Sequence, residues 1–68
     1  MDDIAFTNIA IVGSINKEFE WTDAFINENK IYVKASLQRN AVAISRAYWN
    51  FHKGDFLEAV SEIQKIER

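Results

Sequence analysis

The sequence predicts a small α+β protein, with a three-stranded antiparallel β-meander followed by a C-terminal helical hairpin. Residues 1–35 are rich in β-branched and aromatic side chains, and parts of this stretch alternate between polar and apolar positions. From residue 37 the apolar residues recur every three or four positions, which is the period of an α-helix. The 68 residues suffice for one small domain, β-rich over 1–35 and a helical hairpin over 36–68.

The three strands are predicted from local patterns in the first half of the chain. Residues 4–12 form an apolar run that ends at a Gly-Ser turn. Residues 18–22 alternate, with Phe19 and Trp21 on one face, and residues 30–35 alternate in the same way. The helical period of the second half also extends backward into residues 31–36, which leaves a mostly α-helical fold open as the alternative.

The helical hairpin is predicted from two apolar stripes and from the residues between them. The first helix carries a stripe made of Leu37, Ala41, Ile44, Tyr48 and Phe51, and the second carries Phe56, Ala59, Val60, Ile63 and Ile66. Ser36 is the expected N-cap of the first helix, and Gly54 is its expected left-handed C-terminal residue. Asp55 and Glu58 have the spacing of a capping box at the start of the second helix.

Residues 47–66 resemble the second half of a tetratricopeptide repeat. The resemblance is carried by Ala47, Phe51, Gly54, Asp55, Phe56, Ala59, Ile63 and Ile66. It covers less than a third of the chain and lacks the closing proline of that repeat. Because such repeats need about three units to be stable, we interpret the stretch as a generic helical hairpin and assign no family.

Composition argues against several classes of function. The chain has no cysteine and one histidine, so we expect no disulfide, no metal and no cofactor. His52 and Asp55 are three residues apart but lack a further ligand of the same kind nearby, and no serine-histidine-aspartate set stands out. We therefore expect a protein that is not an enzyme. The acidic start and the short uncharged runs predict a cytoplasmic protein without a membrane segment.

The distribution of charge is the most informative feature of the sequence. Between Glu28 and Asp55 the chain has no acidic residue. The same stretch carries five basic residues: Lys30, Lys34, Arg39, Arg46 and Lys53. The last three of these are seven apart, so they share one face of the first hairpin helix, opposite its apolar stripe. Val42 and Trp49 lie beside that basic face on the same helical wheel.

A tryptophan flanked by arginines is typical of protein-binding hot spots, although Trp49 is equally well explained by packing within its own domain. The leading hypothesis is a non-enzymatic adaptor or inhibitor that docks on a larger protein complex. Small acidic proteins of this type occur among phage- and plasmid-encoded accessory proteins. The predicted partner-binding face consists of Arg39, Val42, Arg46, Trp49 and Lys53. Because so short a chain has a thin core, we also expect a homodimer.

The alternative hypothesis is an accessory or regulatory protein that binds nucleic acid. Its candidate residues are Lys30, Tyr32, Lys34, Arg39, Arg46 and Lys53, with the cations on phosphates and an aromatic ring stacked on a base. The formal net charge of -2 counts against this alternative, because nucleic-acid-binding domains are usually basic.

Overall fold

Four α-helices and one 3-10 turn make up residues 1–66, which are the residues that the computed structural model describes. The helices are α1 (Asp3–Ile15), α2 (Phe19–Asn29), α3 (Ala35–Lys53) and α4 (Phe56–Ile63), and the 3-10 turn (Lys30–Tyr32) links α2 to α3. No β-strand occurs in this part of the chain. The predicted β-meander over 1–35 and the α+β class are therefore wrong. Helix α3 is central, because α1, α2 and α4 all pack against it.

Helix α1 replaces the first predicted strand. The Asp2 side chain caps it by accepting a hydrogen bond from the Ile4 backbone N–H at 3.3 Å. Phe6, Ala10 and Ser14 are fully buried at a spacing of four residues, which is one helical turn. The strand prediction relied on the β-branched residues of this segment, and their preference for strands is weak enough for burial on a helical face to override it.

The second and third predicted strands are also absent, and α2 and the 3-10 turn occupy most of their residues. Thr22 and Ile26, four residues apart, are fully buried on α2, whereas Trp21 is exposed, although the strand pattern placed it inward. In the predicted third strand, Ile31 lies exposed in the 3-10 turn and only Val33 enters the core. The alternation of polar and apolar residues in these short segments was thus coincidental.

The core is thin and is built largely from small side chains. Its buried apolar residues are Phe6, Ala10, Ile26, Val33, Ala41, Ala43, Ala47 and Ala59. Five of these eight are alanines, and buried Ser14 and Ser45 donate their hydroxyl hydrogen bonds to carbonyls one turn earlier, each at 2.8 Å. Small side chains let helices approach closely, but they bury little apolar area. Many of the larger apolar residues therefore remain outside the core.

The C-terminal hairpin is present, formed by α3 and α4. Gly54 has φ 92° and ends α3 in the left-handed conformation, as predicted. The N–H groups of Gly54 and Asp55 donate to the carbonyls of Phe51 and Asn50 at 3.0 and 2.8 Å, which is the Schellman pattern. The predicted N-cap at Ser36 is wrong, because α3 begins at Ala35, two residues before Leu37, and its N-cap is Lys34. The Asp55 side chain makes no capping hydrogen bond, so the predicted capping box is also wrong.

Replacing Gly54 with valine should lower the free energy of unfolding by about 1–2 kcal/mol, because a β-branched residue resists a positive φ. The space around Gly54 is open, so the effect arises from the backbone conformation and not from a clash. Urea denaturation followed by circular dichroism measures the change. The control is Gly54→Asn, which tolerates the left-handed region and should lose less. Equal losses for the two variants would contradict this explanation.

Candidate interaction surfaces

The predicted partner-binding face of α3 is turned largely toward α2. The Arg46 guanidinium lies 2.8 Å from a carboxylate oxygen of Asp23. It also donates a hydrogen bond to Asn27 Oδ1 at 3.0 Å. Asp23 and Asn27 are one turn apart on α2, so both face the same arginine. Because the Arg46 side chain is only 16% exposed, contacts within the chain occupy most of it.

Trp49 joins α3 to the first turn of α2. Its indole N–H donates to the Phe19 carbonyl at 2.9 Å, and the two rings meet edge to face with centroids 6.5 Å apart. The Arg46 guanidinium and the Lys53 ammonium lie 4.8 and 3.9 Å from the indole centroid. These are the distances of cation–π contacts. Trp49 is therefore a partly buried contact between helices, flanked by two cations.

The five residues predicted to bind a partner do not form one open surface. Arg46 and Lys53 both contact the Trp49 ring, while Val42 is partly buried against the core. Arg39 lies nearer the start of α3, where it lines a polar cleft. Docking of a partner on this face stays a prediction, and the part of the face that lies against α2 offers little free surface.

The candidate nucleic-acid residues fall into separate groups. Lys30, Arg39 and Arg46 line a cleft of about 390 Å³, which also includes Glu62 and Lys65. The remaining three candidates, Tyr32, Lys34 and Lys53, do not line it. Tyr32 and Lys34 are exposed between α2 and α3, and Lys53 lies over the Trp49 ring. The acidic side chain in the cleft and the Arg46 ion pair both reduce its attraction for phosphate.

A second, apolar surface lies on the other side of the hairpin. We call it the hairpin groove, a cavity of about 390 Å³ between α3 and α4. Its lining consists of Ile44, Ala47, Tyr48, Phe51, Ala59, Ile63 and Ile66. Ile44, Tyr48 and Phe51 in this set belong to the apolar stripe that the sequence predicted for the first hairpin helix. In the folded chain that stripe is only partly covered, because α1 and α2 occupy the other sides of α3.

Aromatic contacts shape one end of the hairpin groove. Phe51 meets Phe56 of α4 edge to face, with centroids 5.3 Å apart. His52 stacks on Tyr48 and meets Phe51 at a right angle, at 6.4 and 5.3 Å. None of the residues that line the groove carries a formal charge. An apolar concave surface of this kind is suited to contact with apolar side chains of another molecule.

Known proteins offer no guide to the use of these surfaces. Comparison of the chain with protein families, curated proteins and solved structures found no match.

The described residues do not assemble a metal site or a membrane span. Within residues 1–66, no three histidine, aspartate or glutamate side chains converge on a point where an ion could bind. His52 packs against aromatic rings, and Asp55 lies 3.7 Å from the Lys53 ammonium. None of the helices over this range is both long and apolar enough to cross a membrane.

A second apolar groove, of about 410 Å³, lies between α1 and α2. Ile9, Val12 and Trp21 line it together with Glu18 and backbone near Gly13. Trp21 stacks on Phe25, with centroids 5.5 Å apart, so its indole is held in a fixed position. This groove is on a different pair of helices from the hairpin groove, so substitutions in it are matched controls for substitutions in the hairpin groove.

Sequence reasoning found the stripe of the hairpin groove but not its exposure. The available signal was the pair of small residues Ala41, a member of that stripe, and Ser45, one turn later on α3. Small side chains one turn apart mark the side on which another helix approaches closely. Within the stripe, Ala41 enters the main core cluster, whereas Tyr48 and Phe51 stay exposed.

Proposed function

We propose that the protein is a non-enzymatic interaction module of the cytoplasm, a small adaptor or inhibitor that docks on a larger protein. The hairpin groove is its docking surface. The observation that carries this proposal is that four apolar side chains of the hairpin lie outside the core on one side of it. Phe51, Phe56, Val60 and Ile63 are each between 51% and 58% exposed. Phe51 contacts Phe56 and lines the groove with Ile63, and Val60 lies between Phe56 and Ile63 along α4.

Apolar surface gathered on one face favours protein binding over the other classes. Contiguous apolar patches above a few hundred Å² are rare on isolated monomers and mark sites of interaction. A groove between two helices is suited to an amphipathic helix of the partner, which inserts apolar side chains at helical spacing. The aromatic residues Tyr48 and Phe51 supply rigid contact area of the kind that dominates interface energetics.

Nucleic-acid binding has less support from the geometry. Arg46, one of the candidate phosphate-binding residues that line the cleft, forms an ion pair with Asp23. The formal net charge of -2 works against association with a polyanion. A nucleic-acid binder would lose affinity steeply as salt is raised, whereas an apolar interface would not.

The experiment is a binding measurement on the partner, after its capture from the source cell and its purification. Phe51→Ser should raise the dissociation constant by about 30-fold, which corresponds to the roughly 2 kcal/mol lost at an interface hot spot. The control is Trp21→Ser, since Trp21 is an aromatic residue of similar exposure in the other groove. Titration calorimetry with both variants decides between the surfaces. A loss with Trp21→Ser and none with Phe51→Ser would contradict the proposal.

A further inference from the structure

Helix α4 packs on α3 but buries few side chains in the isolated chain. It spans eight residues, and Ala59 is its one buried side chain. Helices this short are not stable in water without packing, because the cost of nucleation is recovered by only a few hydrogen bonds. The apolar side of α4 continues past α3 to Phe56, Val60 and Ile63, which stay more than half exposed. A further contact on this side of α4 would stabilise the hairpin.

The exposed apolar area of the hairpin can be compared with the area that a dimer interface needs. We define the hairpin face by five exposed apolar residues. Tyr48, Phe51 and Ile63 line the groove, Phe56 contacts Phe51, and Val60 lies one turn after Phe56 on α4. Their exposed fractions correspond to an area on the order of 550 Å². A typical monomer has a largest apolar patch of about 300–600 Å², and a stable interface buries about 800 Å² on each partner. The hairpin face therefore lies near the upper end of the range for a free surface and supplies about two thirds of one half of a dimer interface.

We infer that the hairpin face binds a second copy of this chain, in a two-fold symmetric dimer. This inference rests on the proposed function, because it names the first occupant of the same surface. A two-fold interface needs a surface that complements itself. The hairpin face offers both parts of such a contact, because Phe56 and Val60, one turn apart on α4, form an exposed ridge and the hairpin groove lies between α3 and α4.

The charge of the hairpin face also permits self-association. Its residues and the lining of the groove carry no formal charge, so two copies can meet without burying unpaired or like charges. In the dimer, α3 and α4 of one copy pack on α3 and α4 of the other as a four-helix layer. A larger partner that uses the hairpin groove then competes with the second copy. Dimerisation therefore keeps the apolar surface covered until the partner is present.

Sedimentation equilibrium over a concentration series tests this inference. The full chain should reach twice its 7.9 kDa mass at concentrations of about 100 µM and above, and should approach the single-chain mass on dilution. Val60→Asp should raise the dimer dissociation constant at least about 100-fold, because it places a charge in the apolar interface. The matched control is Val12→Asp, which changes the same residue type at similar exposure on α1 and should leave dissociation unchanged.

Each outcome separates the dimer from the proposed function. A single-chain mass throughout the series would overturn the dimer and leave the docking proposal to the calorimetric test. A dimer that survives Val60→Asp would place the interface elsewhere and would also overturn the inference. Circular dichroism checks that each variant is folded. If Val60→Asp does not fold, Phe51→Ser on α3 provides the same test from the other helix, with Trp21→Ser as its control.

Discussion

Replacing Gly13 with valine should strongly destabilise the protein. A Cβ at this position would overlap the Thr22 hydroxyl on α2, and the valine methyl groups extend farther still. Thr22 is fully buried, so it has little room to move away. Overpacking of this kind costs about 1–3 kcal/mol, which is comparable to the total of roughly 3–5 kcal/mol expected for a core of this size.

Circular dichroism and urea denaturation of Gly13→Val measure this effect. The control is Ala5→Val on the exposed side of the same helix, which should change the free energy of unfolding by less than about 1 kcal/mol. Adding Thr22→Ala to Gly13→Val should restore part of the stability, because it removes the atoms that clash. The Thr22 hydroxyl has no hydrogen-bond partner among the described residues, so its removal breaks no such bond. Equal stability of Gly13→Val and Ala5→Val would show that α1 and α2 do not approach closely at Gly13.

Replacing Trp49 with alanine should lower the free energy of unfolding by about 3 kcal/mol, the low end for a buried tryptophan, because Trp49 is only partly buried. The substitution removes the hydrogen bond to the Phe19 carbonyl, the edge-to-face ring contact and two cation–π contacts together. So large a loss would leave a small protein partly unfolded at room temperature.

A second substitution at the same position separates these contributions. Trp49→Phe keeps an aromatic ring between the helices but loses the indole N–H, and it should cost about 1 kcal/mol. Both values follow from urea denaturation of the folded protein. If Trp49→Ala kept full stability and lost only partner binding, Trp49 would be an interface residue and its packing against α2 would be energetically unimportant.

The second half of the chain was the predictable part of the fold. Apolar residues at spacings of three and four define a helix face directly, and Gly54 marks the end of α3 through its left-handed backbone. In the first half, α1 is rich in β-branched residues, and its burial depends on contacts with α3, which begins 20 residues after α1 ends. Such long-range packing overrides local preference and is not visible in a local pattern.

The candidate surfaces depend on the first half of the fold, which explains why they were only partly predictable. Once α2 is a helix, Asp23 and Asn27 are one turn apart and facing Arg46, so a face predicted to be free becomes an internal contact. The exposure of the stripe with Ile44 and Phe51 depends on which sides of α3 the other helices cover. The sequence supplies the apolar stripe, but its partner is set by the arrangement of the whole chain.

The central claim is that the hairpin face is a surface for contact with another molecule. The most direct test is an isotope-filtered nuclear Overhauser experiment on an equal mixture of labelled and unlabelled protein, which detects contacts between copies only. The account predicts signals between chains from the methyl groups of Val60 and Ile63 and the ring of Phe51. Signals between chains from Ile9, Val12 and Trp21 instead, with none from the hairpin face, would contradict it.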